Sequence, residues 1–292
     1  MSSVSVILPV YNVRPYLRTA LDSLLAQTVR DWTAICVDDG STDGSGEILE
    51  EYAARDGRIT VVHQPNGGLC SARNAGLDRA TGEVVLFFDP DDAVGPQWME
   101  RLVRGIDGVD LAWGGFVSTC EGKDTDHTSV DVGREYLGAD VKRRVWRAVF
   151  GYRLRDVLRF GTPQRMWRGC GREFVGLWSR AYRRSVIGDL RFDEALGLFE
   201  DAMFVAAYAE RAQSMRVIGE TGYRYAIRVG GLMSREGRER KLLHKFELRD
   251  ARRRIDPKMT HWRGSFLLSA VEVFRIAGLG AAWRYLRGGE PT

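Results

Sequence analysis

Residues 4–88 alternate short apolar runs with amphipathic segments, and few architectures accept that rhythm. Val4–Val10 is a strand-length apolar run, and Val13–Gln27 then places Leu17, Leu21, Leu24 and Leu25 at helical spacing. Trp32–Val37 and Ile59–His63 read as further strands, Glu47–Ala54 and Ser71–Ala80 as helices. Glu83–Phe88 is a fourth strand, whose unbroken apolar run suits a sheet covered on both faces. Helices between strands supply the crossovers that parallel pairing requires. The expected fold class is therefore α/β, a mostly parallel central sheet flanked by helices. Ligands of such sheets bind beyond the carboxyl ends of the strands, where the Asp-rich segments fall in this chain.

The rhythm fades after about residue 115. Residues 118–133 are polar and turn-rich and read as a loop, and 134–185 are rich in Arg and aromatics. Residues 199–212, with Phe199, Met203, Phe204, Ala207 and Tyr208, read as one helix. From Arg238 onward the chain reads as a helical, basic extension with 13 Arg/Lys against 6 Asp/Glu. Three parts are expected: 1–115, 116–237 and 238–292.

Composition narrows the class. Hydrophobic residues at 44%, charged residues at 28% and a mean hydropathy of -0.26 exclude disorder, collagen-like repeats and a membrane bundle. The net charge of +4 hides an asymmetry: residues 1–130 carry 10 Arg/Lys against 20 Asp/Glu, and the remainder 33 against 19. An acidic half suits a divalent cation, and a basic half suits phosphates, nucleic acid or an anionic membrane surface. Arg supplies 38 of the 43 basic residues, which coding bias also explains. No nucleic-acid-binding motif occurs, so no such partner is expected.

Cys36, Cys70, Cys120 and Cys170 stand far apart without metal or redox spacing, and are expected as reduced, buried thiols in a cytoplasmic protein. The N-terminus runs straight into the first strand without a leader pattern, and Phe266–Trp283 is interrupted by Glu272 and Arg275, so no spanning helix is expected. The basic C-terminal region, with Leu242, Leu243 and Phe246 on one side and Arg249, Arg252, Arg253 and Arg254 elsewhere, suits peripheral contact with anionic lipid at the inner face of the cell membrane. A solvated packing helix is the commoner explanation of such a run.

Chemistry concentrates where the fourth strand ends. Val84-Val85-Leu86-Phe87-Phe88 gives way to Asp89-Pro90-Asp91-Asp92, three mutually repelling carboxylates that a divalent cation relieves. Mg2+ or Mn2+ takes one or two protein carboxylates plus phosphate oxygens, so a diphosphate-metal cradle is one reading of this segment. A solvated acidic turn capping the next helix is the alternative. Asp38-Asp39 ends an earlier strand in the same way, and a carboxylate there could accept the imide N–H of a pyrimidine base or serve only as a turn.

Four ordered segments carry a specific resemblance. Val4-Ser5-Val6-Ile7-Leu8-Pro9-Val10-Tyr11-Asn12, Val37-Asp38-Asp39-Gly40-Ser41-Thr42-Asp43, Gly67-Gly68-Leu69-Cys70-Ser71-Ala72-Arg73-Asn74-Ala75-Gly76 and Asp89-Pro90-Asp91-Asp92 together resemble family 2 glycosyltransferases of the GT-A fold. The similarity continues through Leu190-Arg191-Phe192-Asp193-Glu194, Phe199-Glu200-Asp201-Ala202-Met203-Phe204 and Tyr223-Arg224-Tyr225. Within that family the chain is similar to bacterial enzymes that build capsule, lipopolysaccharide or related glycans.

The resemblance implies roles. Residues 1–115 would hold the nucleotide sugar, 116–237 the acceptor and the catalytic base. Pro9, Tyr11 and Asp39 match the nucleobase pocket, and Arg73 with Asn74 the segment near base and ribose. Asp91 matches the central metal and diphosphate ligand, with Asp89 and Asp92 flanking it and either able to assist. Glu200-Asp201 matches the acidic pair that supplies the base, assigned to Asp201; acids at a helix N-terminus are the alternative. Arg228 matches a diphosphate contact. Glu200 and Trp178 are candidates for the acceptor side. The implied cofactor is Mn2+ or Mg2+, the donor a nucleoside-diphosphate sugar, by resemblance UDP-linked, and the acceptor a glycan, a lipid-linked saccharide or a small molecule. Pro90 stands where relatives often have Ser, which stiffens the loop while leaving its three carboxylates.

Other classes fit less well. A phosphatase of the haloacid dehalogenase type wants its DxD on the first strand, and a dinucleotide oxidoreductase wants GxGxxG after a strand. A catalytically inactive sugar-nucleotide-binding or scaffold protein of the same fold is the remaining rival, against which stand Asp91 and Asp201.

Overall fold

The computed structural model describes residues 2–120, 122–150, 176–196 and 199–227, and beyond them Phe246, Arg249, Asp250, Arg253, Arg254, Ala270, Val273, 281–288 and Glu290. The strands are β1 (Val4–Val10), β2 (Trp32–Asp38), β3 (Ile59–His63), β4 (Val84–Phe87), β5 (Ala93–Val94), β6 (Leu111–Cys120), β7 (Lys123–Asp126), β8 (Glu135–Leu137), β9 (Arg180–Arg183) and β10 (Ser214–Ala226). The helices are α1 (Arg14–Leu25), α2 (Ser45–Arg55), α3 (Leu69–Arg79), α4 (Trp98–Ile106), α5 (Ala139–Phe150), the single turn α6 (Arg184–Ile187) and α7 (Glu200–Arg211).

All the described strands join one sheet in the order β3-β2-β1-β4-β9-β6-β10-β5, with β7 on β6 and β8 on β10. β3, β2, β1 and β4 pair in parallel, as do β6 and β10. β9 runs antiparallel to both β4 and β6, so the long strands on its two sides share one direction. The chain is thus an α/β fold with a mostly parallel mixed sheet.

Alternation along the strands divides the core between two faces. Val4, Val6, Leu8 and Val10 of β1 pack with Leu17, Leu21 and Leu24 of α1, Ile48 and Leu49 of α2, and Trp98, Met99 and Leu102 of α4. Ile7, Val37, Val85 and Phe87 pack on the other face with α3, α5 and α7. Because side chains alternate every residue and both faces are covered, these strands read as continuous apolar runs.

The helix expected over 199–212 is α7, but between residues 110 and 126 the sequence misleads. The boundary expected at 115/116 falls inside β6, and the loop expected over 118–133 instead contains the end of β6 and a hairpin to β7, with Val117 opposite Asp126 and Cys120 opposite Lys123. β7 is Lys-Asp-Thr-Asp with all four residues exposed, so it has no apolar face to announce it. Cys36 and Cys70 are buried as expected, whereas Cys120 is exposed at this hairpin, and Cys170 lies outside the described residues.

The C-terminal region contributes to the core. Phe246, Ala270, Val273, Ala281, Ala282 and Tyr285 are buried on the α3–α7 face. Arg249 is 1% exposed, donates from Nη1 to the Tyr285 carbonyl at 3.0 Å and pairs with Asp250. Phe246 and Arg249, for which a lipid surface and a packing helix are the two readings from sequence, are packed inside, the arginine with its stem along apolar surface. Leu242, Leu243 and Arg252 lie outside the described residues. Among the described residues, no helix is long and apolar enough to cross a membrane.

Pro9 shapes the edge where the carboxylates gather. Ile7 of β1 pairs with Phe87, and the Phe88 amide donates to the Ile7 carbonyl at 3.0 Å. Successive residues of a strand bond to opposite sides, so the N–H that Pro9 lacks is the one that would continue this ladder. The chain after Phe88 is thereby released from β1 and turns into Asp89–Asp92, while Val10 stays bonded to β2 through its carbonyl and the Asp39 amide at 2.8 Å.

α3 lies close against β1 at Gly76, where an added Cβ would come 2.5 Å from Ile7 Cγ2. Overpacking a buried β-branched side chain costs about 1 to 3 kcal/mol, against about 1 kcal/mol that alanine gains over glycine in a helix. Gly76→Ala is expected to lower the urea midpoint with an unchanged m-value, and Gly76→Val to lower it further.

Candidate active site

The parallel register brings the ends of β1, β2, β3 and β4 to one edge of the sheet. Asp39, just past β2, is 2% exposed and its carboxylate accepts from Gln64 Nε2 at 2.7 Å, the Gly67 amide at 2.9 Å and the Gly68 amide at 2.8 Å. Gly68 has φ +87°, a left-handed conformation open to glycine that aims these amides at the start of α3 back toward Asp39. Asp39 thus organises the loop that opens α3, and its remaining lone pairs are what a ligand could use. Pro9 is buried in β1 beside Val37, and Tyr11 is 51% exposed just beyond it.

Arg73 of α3 sits at the centre. Its side chain is 5% exposed; Nη1 donates to Glu200 Oε1 at 2.8 Å and Nη2 to Asp89 Oδ1 at 3.4 Å. Its guanidinium lies 5.4 Å from the centre of the Phe192 ring, and its Nε has no hydrogen-bond partner. One cation therefore ties the end of β4 to the first turn of α7.

The carboxylates around it are strained electrostatically. Burial and the charges of Asp91 and Glu200 push the Asp89 carboxyl up against the opposing pull of Arg73. Burial and the repulsion of Asp89 raise Asp92 to about 8. Burial and then Glu200 raise Asp201 to about 7, with Arg73 opposing. Asp201 accepts from the Ala202 amide at 2.6 Å in the first turn of α7, which follows Phe199 at φ +63°.

The three strand-end acids separate by environment. Asp92 is 4% exposed and its carboxylate accepts from Tyr223 Oη at 2.8 Å and the Ala226 amide at 3.0 Å. Asp89 and Asp91 are only partly buried. Among the described residues, no group of three or more His, Cys, Asp or Glu side chains is gathered as a ready metal site. Two hard carboxylates at a strand end nevertheless fit Mg2+ or Mn2+ when phosphate oxygens complete the shell, and the raised Asp89 carboxyl is one that a cation relieves.

Other expected residues lie elsewhere. Asn74 grips the backbone of Phe192, accepting from its amide at 2.8 Å and donating to its carbonyl at 3.1 Å, so its carboxamide holds the 190–196 segment. Trp178 is 4% exposed and stacks on Tyr223 at 4.7 Å and Tyr225 at 5.1 Å, which places it in the core rather than on a surface that a sugar could reach. Glu200 is drawn to Arg73. Arg228 lies outside the described residues. The roles of Gln64 and Tyr223 escape a reading of the sequence; the Tyr-x-Tyr spacing on an alternating segment was the available signal for the second.

The strand-end carboxylates, the glycine-rich start of α3 and the acidic start of α7 share one edge of the sheet, and the family model "Glycosyl transferase family 2" matches residues 5–187, well over half of the chain. The chain belongs to glycosyltransferase family 2. It is 34% identical over 227 residues to the uncharacterized glycosyltransferase EpsJ of Bacillus subtilis, covering 76% of this chain and 60% of EpsJ. It is 31% identical over 235 residues to the glycosyltransferase GlyA of Streptococcus pneumoniae, covering 78% of this chain and 31% of GlyA. The chain thus spans less than two thirds of the length of these relatives. Among solved structures, TarS of S. aureus superposes with a TM-score of 0.68 at 19% identity, over 98% of this chain and 80% of that one. The mannosyltransferase PcManGT of Pyrobaculum calidifontis, solved with GDP-Man and Mn2+, gives a TM-score of 0.59 at 18% identity over 98% of this chain and 79% of its own. The family fold is GT-A.

Arg73 and His63 each yield a stability test. Removing a buried guanidinium leaves Asp89 and Glu200 unpaired, so Arg73→Met is expected to cost about 3 kcal/mol in urea unfolding, and Arg73→Lys to recover only part of it. His63 Nδ1 lies 2.9 Å from Asp38 and Nε2 2.8 Å from Glu50. The hydrogen bonds to Glu50 and Asp38 raise the His63 pKa above its ordinary value. Burial pushes Asp38 up, but its bonds to Ser41 and His63 outweigh this and hold it low. A raised histidine stabilises fully below its unfolded pKa of about 6.5 and loses that contribution as pH rises through the folded value. The lowered Asp38 stabilises above about 3.9 and loses its share as pH falls through its folded pKa. The Tm difference between wild type and His63→Gln is therefore expected to be largest between those limits, modest in size because His63 is half exposed, and to close at alkaline pH.

Proposed function

We propose that the chain is a metal-dependent, inverting glycosyltransferase that moves a sugar from a nucleoside diphosphate, UDP in the first instance, to an acceptor hydroxyl during assembly of a bacterial surface glycan. The observation that carries this reading is the joining, through Arg73, of the strand-end acids Asp89–Asp91 to the helix start that bears Glu200 and Asp201. A donor-binding edge and a proton acceptor then lie on one site. The relatives support the class of product: one is the minor teichoic acid biosynthesis protein GgaB of Bacillus subtilis. TarS has been solved with UDP and with UDP-GlcNAc, which supports a uridine donor.

In this reading Pro9, Tyr11 and Asp39 hold the base, with Asp39 keeping the glycine loop in place. Asp91 and Asp89 hold the divalent cation, Mn2+ or Mg2+, and Arg228 contacts the diphosphate. The cation supplies charge neutralisation for the departing diphosphate. Asp201 takes the proton from the acceptor hydroxyl as its oxygen bonds to the anomeric carbon. The bond from that carbon to the diphosphate breaks with its electron pair leaving on the diphosphate, so attack from the opposite face inverts the configuration. A carboxyl raised to about 7 by burial suits a base working near neutral pH.

Two variants separate the halves of the site. Asp91→Ala and Asp201→Asn are both expected to reduce transfer by at least about 100-fold. Calorimetry with UDP and Mn2+ is expected to show binding lost in Asp91→Ala and kept in Asp201→Asn. Equal losses in both would overturn the division of roles, and a thermal-shift panel of UDP, GDP, dTDP and CDP with Mn2+, Mg2+ or EDTA, showing no metal-dependent stabilisation by any nucleotide, would overturn the donor reading itself.

A further inference from the structure

Tyr223 is fully buried, and its position is set by aromatic packing. Its ring stacks on Trp178 at 4.7 Å and 9°, and meets Phe88 edge-on at 5.9 Å and 88°. From there the hydroxyl donates to Asp92 Oδ2 at 2.8 Å and accepts from the Asp89 amide at 3.3 Å. The turn closes on itself through the Asp92 amide and the Asp89 carbonyl at 3.1 Å. Asp92 Oδ1 then takes the Ala226 amide at 3.0 Å.

The segment that follows is registered against the same stretch of β10. Val94 lies opposite Tyr223, Ala93 opposite Arg224, and the Gly95 amide donates to the Gly222 carbonyl at 2.7 Å. Residues 89–95 are thus fixed at several points to residues 222–226. Two residues further along the chain comes Arg228.

We infer that Tyr223 and Asp92 are positioning residues, a buried pin that sets where Asp89 and Asp91 present their oxygens to a diphosphate-bound cation, and that Asp92 is not itself a ligand of that cation. This rests on the glycosyl-transfer reading above. A turn ordered in the folded protein spends no binding energy on being ordered when the donor arrives. Asp92, with a bond to each oxygen and almost no exposed surface, serves the turn, and the partly exposed Asp89 and Asp91 serve the ligand.

Three variants test the pin: Tyr223→Phe, Asp92→Asn and Asp91→Asn. The first readout is backbone amide exchange in the unliganded protein; the second is Mn2+ affinity by electron paramagnetic resonance, with UDP and separately with GDP. Tyr223→Phe keeps the ring and its packing, and is expected to speed exchange across 89–95 and 222–227 and to weaken Mn2+ binding by about 10-fold, as loss of a residue supporting metal ligands does. Asp92→Asn retains an oxygen for the Ala226 amide and is expected to bind Mn2+ more like wild type than like Asp91→Asn. Asp92→Asn losing as much Mn2+ affinity as Asp91→Asn would make Asp92 a ligand and overturn the assignment. Unchanged exchange in Tyr223→Phe, with melting temperature retained, would remove the pin. A wild type that takes up Mn2+ with neither nucleotide fails the glycosyl-transfer reading, and the exchange result then decides for or against the pin by itself.

Discussion

One guanidinium holds together two acidic elements that would otherwise repel. Asp89 ends a buried strand, Glu200 opens a helix, and the two meet on opposite nitrogens of Arg73, 127 residues away in sequence from the second of them. Arginine suits the position because its charge persists at any relevant pH, its hydration is weak and its flat face can lie against an aromatic ring. Phe192 provides that ring, and Asn74, one residue along α3, clasps the Phe192 backbone. Cation and cover are thus delivered by one helix turn and the segment it grips. In the proposed reading, a second cation arriving with a diphosphate would add to a site already half neutralised.

Backbone strain gathers at the same edge. The described non-glycine residues with positive φ are Asn12 at 51°, Ser179 at 59° and Phe199 at 63°. Asn12 follows β1, Phe199 precedes the helix bearing Asp201, and Ser179 precedes β9, which runs against β4 and so begins where β4 ends. Each such conformation in a residue other than glycine costs about 1 to 3 kcal/mol. Phe199 has neither the short polar side chain that eases Asn12 nor a cap bond to offset it. Its conformation aims the first turn of α7 at Arg73, and the surrounding core carries the strain.

The first half of the fold was legible because buried parallel strands and amphipathic helices write two different periods into the chain. The carboxylate motifs were legible for a related reason: charge at the end of an apolar strand is conspicuous. Asn74 was not, since its partner Phe192 is 118 residues away and nothing local distinguishes an amide that grips a backbone from one that contacts a ribose. Trp178 drew attention as a ring beside a segment with family counterparts, but a ring able to stack on sugar stacks equally well on Tyr223 and Tyr225. β10 escaped because register shifts between Val217 and Glu220, and again before Arg224, break the alternation that reveals a strand.

The excess of arginine in the second half has an internal use. Helix α4 ends under two arginines from that half. Arg183 donates to the carbonyls of Ile106 at 3.0 Å and Val109 at 2.9 Å, and Arg216 to those of Gly105 at 3.0 Å and Asp107 at 2.9 Å. The last carbonyls of a helix lack partners within it and carry the negative end of its dipole, so planar, multidentate cations satisfy both needs at once. Arg184 likewise reaches the Gly82 carbonyl at 2.9 Å, and Arg191 pairs with Asp78 at 2.6 Å across the two halves. The opposite charges of the two halves are therefore one of the ways they are joined. A basic stretch that looks from sequence like a surface for phosphate or lipid is, at these positions, the seam by which the later strands are fastened to the helices of the first half.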